Sequence, residues 1–347
     1  MPSKPLRVAV VGVGHMGRHH ARVYSQLDEC QLVAVIDKDL DRAKQYAREF
    51  GTTAATSIDV ITEELDAATV AVPTVYHADV AIPLMERGTA VLVEKPLAHD
   101  SDTALQLVDA AKRTQKVLQV GHSERFNPVV QAMLKMEVAP QFIETQRVSP
   151  FTFRSADIGV VFDMMIHDID IVLHLVRQRP TSVDASGVAV LGAQEDVANA
   201  RVRFAGDAVA NLTASRLALK TERRIRVFCP SAYISMDYQA KTGIAIKLAD
   251  NLDLIRMARE RNFEDLSQMA SLDFGSMMKV EPLQIGHADP LTTEINTFLD
   301  SVTTGSGVGV TGDEGYAAVK LAEQITRQVA QQGWGVKLDK NADRSAS

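Results

Sequence analysis

The sequence predicts an α/β Rossmann domain, a doubly wound parallel sheet, followed by an α+β domain with a large, mostly antiparallel sheet. Three observations carry that reading. Apolar runs alternate with amphipathic helical stretches up to about residue 125. A Gly-x-Gly-x-x-Gly loop joins the first run to the first helix. Beyond it the pattern changes to short β-branched stretches separated by polar or glycine turns. At 347 residues the chain exceeds what one core usually supports, and 46% apolar content permits two. The expected units are residues 1–125, residues 126–336 and a polar tail, 337–347.

Leu6 to Val11 is an apolar strand ending at Gly12-Val13-Gly14-His15-Met16-Gly17, and an amphipathic helix follows to about Leu27. Leu32 to Asp37 is a second strand, and Leu40 to Phe50 a helix stopped by Gly51. Ala67 to Val72 is a buried strand broken by Pro73, and His77 to Arg87 a helix closed by Gly88. Ala90 to Glu94 delivers Lys95 and Pro96, Ser101 to Arg113 is a helix with a serine cap, and Val117 to Gly121 is a strand. In the second unit, strands are expected at Gln141–Ser149, Thr181–Leu191, Ala198–Phe204, Ala208–Ser215, Arg223–Phe228 and Ala232–Asp237. Helices are expected at Val161–Gln178, Leu291–Val302 and Asp313–Gln331. Asn251 to Gly275 is Met-rich with helical period and reads as a packing or subunit-contact segment; the tail from Lys337 is expected to fray.

Thirty-seven basic against 44 acidic side chains leave a net charge of -7, which disfavours a nucleic-acid or anionic-membrane partner. Cys30 and Cys229 lie far apart with no nearby Cys/His spacing, so neither a disulfide framework nor a metal site is expected, and a reducing cytoplasm fits. The start of the chain imitates a signal peptide, but its apolar run breaks at Gly12 and Gly14 and reads as a first strand. No apolar stretch approaches the roughly 20 residues of a membrane span, so a soluble protein is expected.

Gly12, Gly14 and Gly17 stand where bare backbone amides and a helix dipole hold a pyrophosphate. Asp37 ends the next strand about twenty residues on, as a reader of ribose hydroxyls does. A carboxylate there repels a 2′-phosphate and favours NAD over NADP, whereas neighbouring Lys38 would suit the phosphate. His15, His19 and His20 read as solvated helix histidines.

Lys95 stands at the carboxyl end of a buried strand, where open α/β sheets bind ligands; an exposed lysine paired with Glu94 is the alternative. Asp163, His167, Asp170 and His174 fall on one stripe of an otherwise apolar helix. That stripe either lines a cavity or is a solvated face, the plainer reading for Asp170 and His174. Glu124, Arg125 and Asn127 follow the last strand of the first unit on the same cleft edge. Lys220, Arg223, Arg224 and Arg226 either grip a diphosphate or, the more usual meaning, guard a sheet edge.

Taken together these residues resemble the Gfo/Idh/MocA family of glucose-fructose oxidoreductase, inositol dehydrogenase and rhizopine catabolism proteins. The resemblance covers essentially the whole chain: the glycine loop, Pro73-Thr74, Glu94-Lys95-Pro96, Arg125-Phe126, the D-x-x-x-H of Asp163 and His167, and Val310 to Gly315. It implies an NAD-dependent sugar dehydrogenase in which Lys95 lies between nicotinamide and substrate, His167 handles the hydroxyl proton and Asp163 positions both. A nearby nicotinamide charge would push the lysine pKa down, so Lys95 is the alternative base. It further implies cofactor contacts from Gly12, Gly14, His15, Met16, Gly17, Asp37, Pro73, Thr74, His77, Glu94 and Lys95. Substrate contacts would come from Lys95, Glu124, Arg125, Asn127, Asp163 and His167. The family usually has a glycine-rich turn before the D-x-x-x-H helix; here Ile158 to Phe162 keeps one glycine.

Within the family, Gly121 to Pro128 and Asp157 to Asp170 look most like the branch that oxidises the 3-hydroxyl of UDP-N-acetylglucosamine, whose product a partner aminotransferase converts to an amine for lipid A or related glycans. The resemblance also implies a homodimer or homotetramer. A dehydrogenase of a free inositol or hexose, and a non-catalytic NAD-binding sensor, are the rival readings.

Overall fold

The computed structural model describes residues 4–62, 64–152, 158–191, 193–230, 232–248 and 278–332. Its first sheet contains β1 (Leu6–Val11), β2 (Cys30–Ile36), β3 (Thr53–Ala55), β4 (Ala67–Val70), β5 (Ala90–Glu94) and β6 (Leu118–Gly121). All pairs are parallel and the order is β3-β2-β1-β4-β5-β6. Helices α1 (Gly17–Tyr24), α2 (Leu40–Phe50), α3 (His77–Glu86) and α4 (Ser101–Thr114) connect the strands. These strands read as continuous apolar runs because both faces are covered. Val8, Val10 and Leu92 enter one core, while Ala9, Val11, Val91 and Val93 enter the other. The order reverses direction between β1 and β4, which opens a crevice at the carboxyl ends of the strands.

The second unit begins with α5 (Pro128–Leu134) and β7 (Phe142–Val148). A π turn, Val161–Met165, leads into α6 (Ile166–Val176). Then come β8 (Pro180–Val188), β9 (Val197–Phe204), β10 (Val209–Ser215), β11 (Glu222–Phe228), β12 (Ala232–Asp237), β13 (Thr242–Leu248), β14 (Met278–Pro282), α7 (Pro290–Thr304) and α8 (Gly312–Gln331). The eight strands order as β14-β13-β12-β11-β7-β10-β9-β8, antiparallel except for β7 with β10.

Several expectations are corrected. The cap of α4 is Asp100, whose carboxylate accepts from the Thr103 amide at 2.7 Å; Ser101 instead donates to Glu323 of α8 at 2.6 Å. The basic cluster does not guard an edge, because β11 lies between β12 and β7. Arg224 and Arg226 pair with Asp237 and Glu144 on neighbouring strands. The strands β3, β13 and β14 and the helix α5 were not anticipated, and the Asn251–Gly275 segment and the tail lie outside the described residues.

The end of the chain returns to the first sheet. Ile295, Phe298 and Leu299 of α7 share a core with Val8, Val10 and Leu92. The edge of β6 is covered by the approach to α8, where Val120 donates its amide to the Val310 carbonyl at 2.9 Å. No helix among the described residues is long and apolar enough to cross a membrane.

Candidate active site

The glycine loop fits a pyrophosphate. Gly12 has φ +86°, and a Cβ there would lie 2.7 Å from the Ala71 carbonyl oxygen; a Cβ on Gly17 would lie 1.7 Å from the Gly12 oxygen. Both are therefore required by close backbone packing. Gly14 meets nothing within 4 Å and presents bare backbone to the crevice. Asp37, 6% exposed, accepts from the Val13 amide at 3.1 Å and from the Asp39 amide at 3.0 Å, which locks the acid to the loop. Arg42 reaches the same carboxylate at 3.3 Å.

With the carboxylate gone, Arg42, which reaches it, would remain to receive a 2′-phosphate. Asp37→Ser is expected to lower the KM for NADP on the order of tenfold or more and raise that for NAD, since like-charge juxtaposition costs on the order of several kcal/mol. Steady-state kinetics with both cofactors checks this. An unchanged NADP preference would remove Asp37 from the ribose site.

Beyond the loop, His15 is exposed with its ring edge-on to His19 at 5.5 Å, and Met16 is half-buried. His20 is corrected: it is fully buried and its Nε2 lies 2.7 Å from Glu94 Oε1, because α1 turns this side onto the end of β5. The other Glu94 oxygen accepts the Lys95 amide at 3.1 Å. Burial pushes the Glu94 carboxyl up, but His20 and Lys95 outweigh it and hold it below its usual value. Pro73 is exposed and Thr74 half-buried, at the crevice end of β4.

His77 is corrected as well. It is buried, with Nδ1 3.1 Å from the Pro96 oxygen and 3.2 Å from that of Leu97, and Nε2 3.0 Å from that of Val72. It ties the loop after β4 to the loop after Lys95, with both ring nitrogens engaged by backbone carbonyls.

Lys95 donates from Nζ to the Asp163 carbonyl at 2.7 Å and lies 3.6 Å from the Asp163 carboxylate. Its side chain is 20% exposed. Burial lowers its pKa, opposed by Asp163 and Glu94.

The turn carrying Asp163 is clamped at its start. A Cβ on Gly159 would fall 2.1 Å from the Glu195 carboxylate, which accepts the Val161 amide at 3.1 Å. The Glu195 carbonyl accepts the Val160 amide at 3.0 Å, and Arg216 donates to the Ile158 carbonyl at 2.7 Å. One glycine therefore suffices where it meets Glu195.

The π turn changes the angular spacing that a regular helix would give to Asp163 and His167. Among the described residues no hydrogen bond joins the two, and Asp163 contacts Lys95 instead. His167 is half-buried, and among the described residues its enclosed Nδ1 has no partner. Burial, then Lys95 and Arg147, drive its pKa well below the ordinary histidine value.

Asp170 and His174 are not a solvated face. Asp170, 1% exposed, takes two hydrogen bonds from Arg125, one to Oδ2 at 3.0 Å and one to Oδ1. The same guanidinium donates to Glu314 at 2.5 Å and meets His174 Nδ1 at 2.8 Å. Glu314 belongs to the Thr311 capping box of α8. Arg125 is thus a tie between α6 and α8, and its substrate-binding role is corrected. Asn127 caps α5, accepting from the Val129 amide at 3.1 Å.

One Glu124 oxygen lies 3.4 Å from Arg223 and 3.7 Å from Arg147, and among the described residues the other is enclosed without a partner. Arg147, 3% exposed, grips Asp168 through bonds of 3.1 and 2.8 Å. Its guanidinium carbon lies 5.7 Å from the Tyr238 ring centre. Burial pushes the Asp168 carboxyl up against the pull of Arg147. Arg147, Asp168, Tyr238 and the buried His122 were missed. The available signal was Arg147 sharing the inward strand phase of Ile143.

Residues 6–122 match the model of an oxidoreductase family with an NAD-binding Rossmann fold, and residues 134–235 match the GFO/IDH/MocA C-terminal domain. The chain is 33% identical over 322 residues to UDP-N-acetylglucosamine 3-dehydrogenase of Acidithiobacillus ferrooxidans, covering 92% of this chain and 96% of that one. The solved structure of that enzyme superposes with a TM-score of 0.83, at 32% identity, over 94% of this chain and 99% of its own. Inositol 2-dehydrogenase of Rhizobium meliloti is 24% identical over 344 residues, 94% of this chain and 97% of that one. With both domain models matched in sequence order across its two sheets, the chain belongs to the Gfo/Idh/MocA family of NAD-binding oxidoreductases.

Proposed function

We propose that this enzyme oxidises a secondary ring hydroxyl of a nucleotide sugar to a ketone, with the 3-hydroxyl of UDP-N-acetylglucosamine as the first candidate. The observation that carries the reading is the convergence of Lys95, held by Asp163, with the neutral His167 at the crevice. NAD, when bound, supplies the hydride acceptor. His167 takes the hydroxyl proton at Nε2, the ring nitrogen that is not enclosed. The Lys95 ammonium donates to the same oxygen and stabilises its developing charge. Asp163 holds that ammonium in place.

Two observations support a nucleotide sugar over a free polyol. The relative of that activity is 33% identical across nearly the whole chain, against 24% for the inositol enzyme of Rhizobium meliloti. Arg223, 45% exposed and paired with Glu124 across a 3.4 Å contact, sits beside the site, where it suits a diphosphate. The keto product would pass to an aminotransferase in the cytoplasm, toward lipid A or a related glycan, from a homodimer or homotetramer.

The test is NADH formation from NAD and UDP-N-acetylglucosamine with a ketone trap present. Turnover that needs the complete mixture supports the reading. Turnover only with inositol or a hexose establishes the second reading, which the inositol dehydrogenase similarity favours.

A further inference from the structure

His122 adjoins this chemistry and has no part in it so far. β5 and β6 are parallel, with Glu94 opposite Gly121, so the next residues, Lys95 and His122, leave the sheet side by side. The His122 ring is 1% exposed, and among the described residues neither of its nitrogens has a hydrogen-bond partner. It stands edge-on to His167, with ring centres 6.4 Å apart and planes at 86°. The enclosed Nδ1 of His167 is likewise unpartnered.

Each buried polar atom left unsatisfied costs about 1–3 kcal/mol. With ring centres 6.4 Å apart the two rings are too far for a direct N–H···N bond, so a link between them needs a bridging water. Asp163, the carboxylate that would otherwise orient His167, is engaged by Lys95. Burial lowers the His122 pKa; Arg125 and Lys95 act the same way and Asp170 opposes them, so the ring stays neutral and able to accept a hydrogen bond.

We propose that His122 is a positioning residue for the dehydrogenation: through one water it accepts the Nδ1 hydrogen of His167 and fixes the tautomer whose Nε2 lone pair meets the sugar hydroxyl. The proposal rests on the reading of His167 as the proton acceptor. A ring nitrogen takes its role from the hydrogen bond its partner nitrogen makes.

The test is the ¹⁵N spectrum of the histidine rings in the full-length protein, with and without NAD, the His167 signals assigned by their loss in His167→Gln. Wild-type His167 is expected in the Nδ1–H form. His122→Phe, which keeps the volume, should give a mixture of tautomers and lower kcat on the order of 10- to 100-fold, while the sugar KM and the Kd for NAD stay within about twofold. His122→Gln, which keeps an acceptor, should restore most of the turnover. An Nε2–H form in the wild type overturns the proposal. So does a His122→Phe variant with unchanged tautomer and turnover, or a His122→Gln variant as slow as His122→Phe. If the phenylalanine variant does not fold, the wild-type and His122→Gln spectra decide. A wild type that turns over neither nucleotide sugar nor polyol refutes the functional reading, and the tautomer still decides this one.

Discussion

His167→Ala is expected to lower kcat by on the order of 100-fold or more while NAD binding is kept. The side chain is half-buried on α6 and alanine suits a helix, so the fold is kept and the loss is expected to fall on proton transfer. Neighbouring groups do not replace it: both nitrogens of His122 are enclosed, and Lys95 is held as a donor to Asp163. The acid limb of kcat/KM gives a second reading of the same residue. A base works only when unprotonated, and burial places the His167 pKa well below 6.5. Activity should therefore persist as pH falls through 6.5 and decline only below it. Stopped-assay kcat values and a fluorescence titration of NAD check both halves. Wild-type turnover in the alanine variant would remove the proton-transfer role.

The first sheet was legible because each of its signals is local. An apolar run, a glycine stop and an acid at a strand end are decided within a few residues, and Gly12, Gly17 and Asp37 stand where that logic places them. β3, only three residues long, is too short to carry a period. Lys95, Asp163 and His167 could be named together as candidates from the sequence, yet their mutual geometry could not. A helical period places Asp163 over His167, and the π turn undoes it.

Residues whose role depends on distant chain were misread in a consistent direction. Arg125 looked free for substrate because Asp170 and Glu314, its partners, lie 45 and 189 residues away. His20 looked solvated because Glu94 is 74 residues on. Glu294 drew no reading at all. It is fully buried, among the described residues neither carboxylate oxygen has a partner, and burial with Glu94 and Asp170 nearby holds its carboxyl well above the usual range. Helical spacing on α7 marks it only as a position beside the buried Ile295. A polar residue at an inward phase, such as Arg147 or Glu294, reveals that something must satisfy it but not what.

Lys95→Met should cost on the order of 100- to 1,000-fold in kcat, the usual loss when one donor to a developing oxyanion is removed. Methionine keeps the length and the apolar stem, so the loops on either side, held by His77 and Glu94, stay in place and the Kd for NAD should change little. The sign of the alkaline limb then separates the two possible roles. Burial lowers the Lys95 pKa below 10.5, with Asp163 the first of the groups opposing it. If the ammonium is the donor, activity is full below that pKa and lost as pH rises through it. The limb should vanish in Lys95→Met and move to lower pH in Asp163→Ala. If the amine were the base, activity would instead rise with pH through the same value. A pH profile of kcat/KM over the alkaline range measures this, and a rising limb would transfer the proton from His167 to Lys95.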